Sequence, residues 1–202
     1  MHESLHETLS AAATGDPVAL NSLFGRHLPN LRAFIRMKAG RMVKAKESVN
    51  DLVQSVCREV LEDFDQFEYR GEAAFRQWLF LHATRKILER HRYHRAAKRD
   101  AAREAPPRDL PEDEATTLMR CYATFCTPSR RAAAREELHR IESAIAELPE
   151  NQRDALALSR MMGLSYKDAA EQLDCTPAAV RGLVARGLAR LSDSLTEPET
   201  PQ

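Results

Sequence analysis

The stretch GLSYKDAAEQLDCTPAAVRGLVARGLARL, Gly163–Leu191, decides the fold of its half of the chain. Ser165-Tyr166-Lys167-Asp168 has the form of a capping box, in which a hydroxyl and an acid three residues later serve the open donors of a helix start. A short helix follows with Ala169, Ala170 and Leu173, and the small alanines let a second helix cross closely. Asp174-Cys175-Thr176 leaves about three residues for a turn. Thr176 is a strong N-cap, and Pro177 suits the first helical position, where no N–H is needed. Val180, Val184, Leu188 and Leu191 then recur at three- and four-residue intervals on a longer helix. A short helix, a tight turn and a longer helix make a helix-turn-helix.

The other side of the longer helix begins with Thr176, Ala178 and Ala179 and continues with Arg181, Gly182, Ala185 and Arg186. Small residues let a helix sink into a major groove, arginines reach base edges or phosphates, and a helix N-terminus favours a phosphate. Arg181 is the base-edge candidate. Arg186, Arg190 and, on the first helix, Lys167 are phosphate candidates. Phosphate contacts set register, whereas base edges carry sequence. A plain helical bundle with a solvated arginine face would show the same residues. The sequence also leaves open whether Tyr166 packs or lies on the surface. Cys175 reads as a small hydrophobe.

The preceding segment continues the helical pattern. Leu138, Ile141, Ile145 and Leu148 mark an amphipathic helix. Pro149 starts another with Leu156 inside, and Gly163 is its expected C-cap. Upstream, EAPPRDLPEDEATTL (104–118) has three prolines and five acids and reads as a linker with no packed element. A short helix limited by Pro128 is expected within 118–135.

In the N-terminal half, Asp16-Pro17 looks like a helix start. Leu20, Leu23, Phe24, Leu28, Leu31, Phe34 and Ile35 follow at helical spacing, with a kink or break expected at Pro29. Ser48-Val49-Asn50-Asp51 is a second capping box, opening a helix with Val49, Leu52, Val53, Val56 and Val60 on one face. Phe64 and Phe67 are expected to close the same core. Asp51 and Gln54 are polar positions open to two readings, a helix cap or a protein-docking face. A long helix is expected from about Glu72, with Phe75, Trp78, Leu79 and His82 inside and Ile87 or Leu88 continuing the buried side. Trp78 reads as core more than as a base wedge. Past Arg90 the helix should be wet and basic. Arg85, Lys86, Arg90, Arg92, Arg95, Lys98 and Arg99 surround it, with Tyr93 and His94 interleaved. Such a surface attracts a phosphate backbone and offers rings for unpaired bases, although a solvated charged helix has the same composition.

The bulk numbers bound these readings. The chain has 202 residues, 43% of them apolar, enough for one large or two small domains. It carries 30 basic and 30 acidic residues, which argues against a nonspecific polycation. The charge is unevenly placed, however: residues 85–103 hold eight Lys/Arg against two acids, and 104–118 hold five acids against one Arg. A neutral total can therefore hide a basic face. No run of 18 apolar residues spans a membrane, and MHESLHETL lacks the marks of a secretory signal. Cys57, Cys121, Cys126 and Cys175 form neither a disulfide framework nor a metal set, so a reduced cytoplasmic protein is expected. His91 and His94 lack the further ligands a metal site needs. No phosphate loop, HExxH or GxSxG motif is present, so neither an enzyme nor a cofactor is expected. The fold class is all-α: helical domains over 1–100 and 133–196, a flexible linker over 101–132, and a disordered tail over 197–202.

Two stretches resemble a known family. DLVQSVCREVLEDFDQF (51–67) with FRQWLFLHATRKILERHRYHRA (75–96) is similar to the second conserved region of the extracytoplasmic-function (ECF) sigma factors of bacterial RNA polymerase. LPENQRDALALSRMMGLSYKDAAEQLDCTPAAVRGLVARGLARL (148–191) resembles their fourth region. Together they cover about 110–120 of the 202 residues, in the family's order and across a variable linker. The resemblance implies a subunit that binds core polymerase and recognises −35 and −10 promoter elements. Asp51, Leu52, Gln54, Ser55 and Arg58 would dock on the β′ clamp helices. Trp78, Arg85, Lys86, Glu89, Arg90, Arg92, Tyr93 and Arg95 would engage the −10 element and hold an unstacked base. Lys167, Thr176, Ala178, Ala179, Arg181, Gly182, Ala185, Arg186 and Arg190 would meet the −35 element. The linker would cross near the RNA exit path, the β flap would be a further contact, and an anti-sigma factor is a plausible restraining partner. Three positions depart from the pattern: family members often carry Asn where Arg85 stands, Asp where Glu89 stands, and an apolar residue, often Ile, where His82 stands. The competing readings are a free-standing helix-turn-helix regulator acting alone and a protein-only adaptor.

Overall fold

In the computed structural model of the chain, residues 11–12, 16–39, 47–68, 70–96, 110–123 and 133–196 are described. The described residues are helical apart from short turns. The chain divides into two compact units: Met1–Ile35 with Ala39–Pro107, and Arg36–Lys38 with Arg108–Gln202.

The first unit is built on α1 (Pro17–Lys38) as far as Ile35, α2 (Val49–Glu62) and α3 (Glu72–Ala96), with a 3-10 turn at Phe64–Gln66. Asp16 caps α1 by accepting the Val18 N–H at 3.0 Å, with Pro17 in the first turn. The break expected at Pro29 is absent, and α1 runs through it. Proline removes the donor that would serve the carbonyl four residues back, here that of Gly25. Gly25 is exposed and has no Cβ to cover its carbonyl, so water can take the lost partner's place. Ser48 caps α2 by accepting the Asp51 N–H at 3.1 Å. Gly71, at φ +92°, takes a conformation that a side chain would strain and turns the chain into α3.

The interior of this unit is aromatic. Phe34 of α1 stacks on Phe80 of α3 with centroids 4.8 Å apart. Phe75 is fully buried and meets Phe24, His27, Phe64, Phe67 and Trp78. Leu52, Val53, Val56 and Val60 bury the apolar face of α2, as their spacing predicts.

Three histidines lie inside this unit, each beside a carboxylate. His27 Nε2 is 3.3 Å from Glu72, His82 Nδ1 is 3.9 Å from Asp63, and His94 Nε2 is 2.8 Å from Glu47. Burial pushes the His27 and His82 pKa values below the ordinary imidazole range, and the neighbouring Glu72 and Asp63 only partly offset it. His82 thus fills the place of an apolar residue as a neutral ring, 4.9 Å from Trp78. The unfolded chain takes up protons first as pH falls below about 6.5, so this unit is expected to lose stability from there downward. Melting temperature against pH should show that decline. Replacing His27 with Gln should flatten the slope, and an unchanged slope would contradict the assignment.

The second unit contains α4 (Glu112–Tyr122), α5 (Ala134–Glu147), α6 (Glu150–Leu156), a π-helical turn at Ala157–Met161, α7 (Tyr166–Gln172) and α8 (Pro177–Thr196). α4 corrects the sequence reading, because it lies within the span expected to be linker. Its acids gather in the first turn, where they complement the helix dipole, and its apolar residues face one way. Ala115, Leu118, Cys121 and Tyr122 are buried, and α4 packs against α5. The Tyr122 hydroxyl donates to Glu142 of α5 at 3.2 Å. Residues 101–109, 124–132 and 197–202, with Lys98, Arg99, Cys126 and the Pro128 limit, lie outside the described residues.

A candidate promoter-DNA interface

The helix-turn-helix is set by its caps. The Ser165 hydroxyl accepts the Asp168 N–H at 3.2 Å and donates to the Asp168 carboxylate at 2.7 Å, which fixes the first turn of α7. α7 ends in a Schellman turn: the Cys175 N–H reaches back to the Ala170 carbonyl at 3.0 Å while Asp174 stands at φ +49°. Glycine is the usual residue there, and Asp is among the few others that tolerate it. Thr176 then accepts the Ala179 N–H at 3.1 Å and opens α8. Gly163, at φ +71°, makes the corresponding exit from the π-helical turn.

α8 buries Val180, Val184, Gly187 and Leu191. A Cβ on Gly187 would lie 3.0 Å from Leu156 Cδ1, so the glycine is what lets α8 approach α6 so closely. The opposite face is open. Thr176, Ala178, Arg181, Ala185, Arg186 and Arg190 are exposed, while Ala179 and Gly182 are half-buried at its edge. Lys167 is exposed on α7. Arg186 folds back along the helix, and a Cβ on Gly182 would lie 3.1 Å from its Nη1. All nine residues singled out here from the sequence thus belong to α7, α8 and the turn between them. The feature missed is Tyr166, whose ring lies 6.0 Å from the Arg181 guanidinium carbon.

α3 carries the second basic surface in more mixed form. Arg85, Glu89, Arg92 and Tyr93 are exposed, Arg90 is half-buried, and the Arg95 side chain lies outside the described residues. Lys86 is a correction. It is buried, with ion pairs to Glu59 of α2 and to Glu89 at 2.8 Å. Burial pulls its pKa down, but the hydrogen bonds to Glu59 and Glu89 more than offset this and leave it raised. Lys86 therefore ties α3 to α2 instead of facing a phosphate. Past Arg90 the helix is wet at Arg92 and Tyr93, as expected, but not at His94, which is buried 2.8 Å from Glu47. The partners Glu47 and Glu59 are distant in sequence, and no local pattern marks them.

Trp78 is half-buried and stacks on Phe67 at 4.8 Å, edge-on to Phe64 at 5.9 Å. It caps the aromatic cluster with part of its ring in solvent. Of the two alternatives for this helix, Ile87 is buried and Leu88 exposed. On α2, Asp51, Gln54 and Arg58 form an exposed stripe with half-buried Ser55 beside it. Leu52 is 1% exposed and belongs to the core, so it is withdrawn from the docking face. Leu61, exposed one turn beyond Arg58, extends the same stripe.

Among the described residues, no group of three or more His, Cys, Asp or Glu side chains is placed to hold a metal ion, and no helix is long and apolar enough to cross a membrane. Two helical units, one of them closing in an arginine-faced helix-turn-helix, define a modular DNA-binding protein. Comparison with known proteins narrows this. Residues 23–97 match the family model of sigma-70 region 2, and residues 138–191 match that of sigma-70 region 4. The chain is 30% identical to the ECF RNA polymerase sigma factor ShbA of Streptomyces griseus, over 89% of each chain. It is 28% identical to the ECF RNA polymerase sigma factor SigD of Mycobacterium tuberculosis, over 96% of this chain and 84% of that one. The fold is similar to that of CnrH, solved in complex with the cytosolic domain of CnrY, with a TM-score of 0.56, 24% identity and coverage of 95% and 96% of the two chains. The chain belongs to the ECF (group 4) family of sigma-70 factors of bacterial RNA polymerase. It is a non-catalytic initiation factor that directs the polymerase to promoter DNA.

Proposed function

We propose that the two units divide promoter recognition between them. The outer face of α8 reads the −35 element, with Arg181 at a base edge, Lys167, Arg186 and Arg190 on phosphates, and Thr176, Ala178, Ala179, Gly182 and Ala185 allowing close approach. The exposed part of α3, from Trp78 through Arg85, Glu89, Arg90, Arg92 and Tyr93 to Arg95, engages the −10 element and holds an unpaired base. The α2 stripe of Asp51, Gln54, Ser55 and Arg58 docks on the β′ clamp helices, and the β flap is a further contact. The chain works in the cytoplasm, and the span between α3 and α4 tethers the two modules, α4 belonging to the second. An anti-sigma factor restrains it, a reading supported by two fold relatives solved with partners: CnrH with the cytosolic domain of CnrY, and RpoE of Bartonella quintana with the anti-sigma factor NepR.

The observation that carries this reading is the segregation of α8 into a fully packed face and an open face of arginines and small residues. It also accounts for the zero net charge. Two weak DNA contacts held on one polymerase raise each other's effective concentration, so neither needs a strongly basic module. Reconstituted transcription with core polymerase on genomic fragments tests it. The expected result is selective initiation from two-part promoters; tight binding to one continuous operator without polymerase would overturn it. Asp51→Ala should weaken core binding more than binding to isolated −35 DNA, and equal losses would remove Asp51 from the docking face.

A further inference from the structure

We propose that Tyr166 is a positioning residue that holds the Arg181 guanidinium in the orientation needed to read a base. This deepens the −35 reading and rests on it. Tyr166 is the first residue of α7 and lies between Ser165 and Asp168, the two partners of the cap, so its backbone is fixed at both flanks. Its ring is half-buried, and the Arg181 guanidinium carbon lies 6.0 Å from the ring centroid. At that range the negative face of a ring attracts a cation, and a planar guanidinium can lie along it. An exposed arginine on a helix samples many rotamers and loses that freedom on docking. A ring fixed on the neighbouring helix narrows the set before DNA arrives, which favours bidentate contact.

Arg181 and Arg186, two of the three exposed arginines of α8, are therefore supported differently. Arg186 lies back over the bare backbone at Gly182. Arg181 is held from across the turn. The positioning belongs to the Arg181 site alone, so its loss should lower discrimination at one base position and leave the rest of the −35 footprint unchanged.

The test uses holoenzyme reconstituted with the full chain and measures relative affinity for cognate and base-substituted −35 sites at several salt concentrations. Tyr166→Leu is expected to reduce the preference at the base read by Arg181 by roughly 2- to 5-fold. The salt slope should not change, since no phosphate contact is removed. Tyr166→Phe should retain the wild-type preference because it keeps the ring. In an Arg181→Ala background Tyr166→Leu should have no further effect on that preference. If Phe is as damaging as Leu, the hydroxyl is what acts and the proposal fails. It also fails if Tyr166→Leu is silent or acts equally without Arg181. Should Arg181→Ala itself leave the −35 preference intact, the base-reading role of Arg181 falls and this inference falls with it.

Discussion

Phe75→Ala is expected to destabilise the first unit by roughly 3–5 kcal/mol. Phe75 is fully buried and touches rings from three sides: Phe24 and His27 of α1, Phe64 and Phe67 of the connection, and Trp78 on its own helix. Removing its ring leaves a cavity lined by other rigid rings, which cannot collapse as a cluster of flexible side chains would. The chain contains a single tryptophan, Trp78, and it belongs to this cluster. Its emission therefore follows the first unit directly. Urea titration should show a lower midpoint with an unchanged slope. A shift equivalent to less than about 1 kcal/mol would mean that the cluster is not the organising core. The function expected to fail first is the −10 engagement proposed for α3, because Trp78 and the exposed turns of α3 are held in place by this packing. Binding to isolated −35 DNA should persist, because α8 packs on a different set of residues, Leu156 and Gln152 among them.

The parts of the molecule legible in the sequence are those set by local chemistry. The caps at Asp16, Ser48, Ser165 and Thr176 are each made by a side chain reaching two or three residues along the chain, and all are present. The buried faces of α2 and α8 follow largely from spacing, although on α8 Gly187 is buried and the expected Leu188 is half-buried. Failures occur where a distant partner or solvent decides. Lys86 reads as one basic residue among many, yet Glu59, 27 positions earlier, draws it into the interior. His94 is drawn in the same way by Glu47. The span 104–118 reads as a linker, but its prolines end at Pro111 and Glu112, Asp113 and Glu114 fall in the first turn of α4, where they favour a helix. The family resemblance puts Leu52 on a docking surface, whereas its spacing puts it in the core, and it is buried. The candidate site followed the same division. Composition and period located the α8 face, whereas the ring beneath Arg181 belongs to a different helix and emerges only when the turn brings the two together.

Arg181→Ala is expected to lower discrimination between cognate and altered −35 sites by about 1–3 kcal/mol, or about 5- to 150-fold, if the guanidinium makes a bidentate contact with a base. The reason lies in where Arg181 sits. It is exposed in the second turn of α8, one residue after the buried Val180, and in a helix-turn-helix the N-terminal part of the second helix meets base edges. Arg186 and Arg190 lie one and two turns farther along, where a helix leaves the groove and meets the backbone. Replacing Arg190 with Ala should weaken binding to all sequences alike and reduce the salt slope by about one, without changing relative preference. The two variants thus differ in kind as well as in size: one changes which site is chosen, the other how tightly any site is held. Relative affinities on paired promoters, measured across a salt series with the polymerase present, separate these outcomes. Equal behaviour of the two variants would reduce α8 to a generic basic helix, and promoter choice would then have to be carried by α3 or by the shape of the DNA.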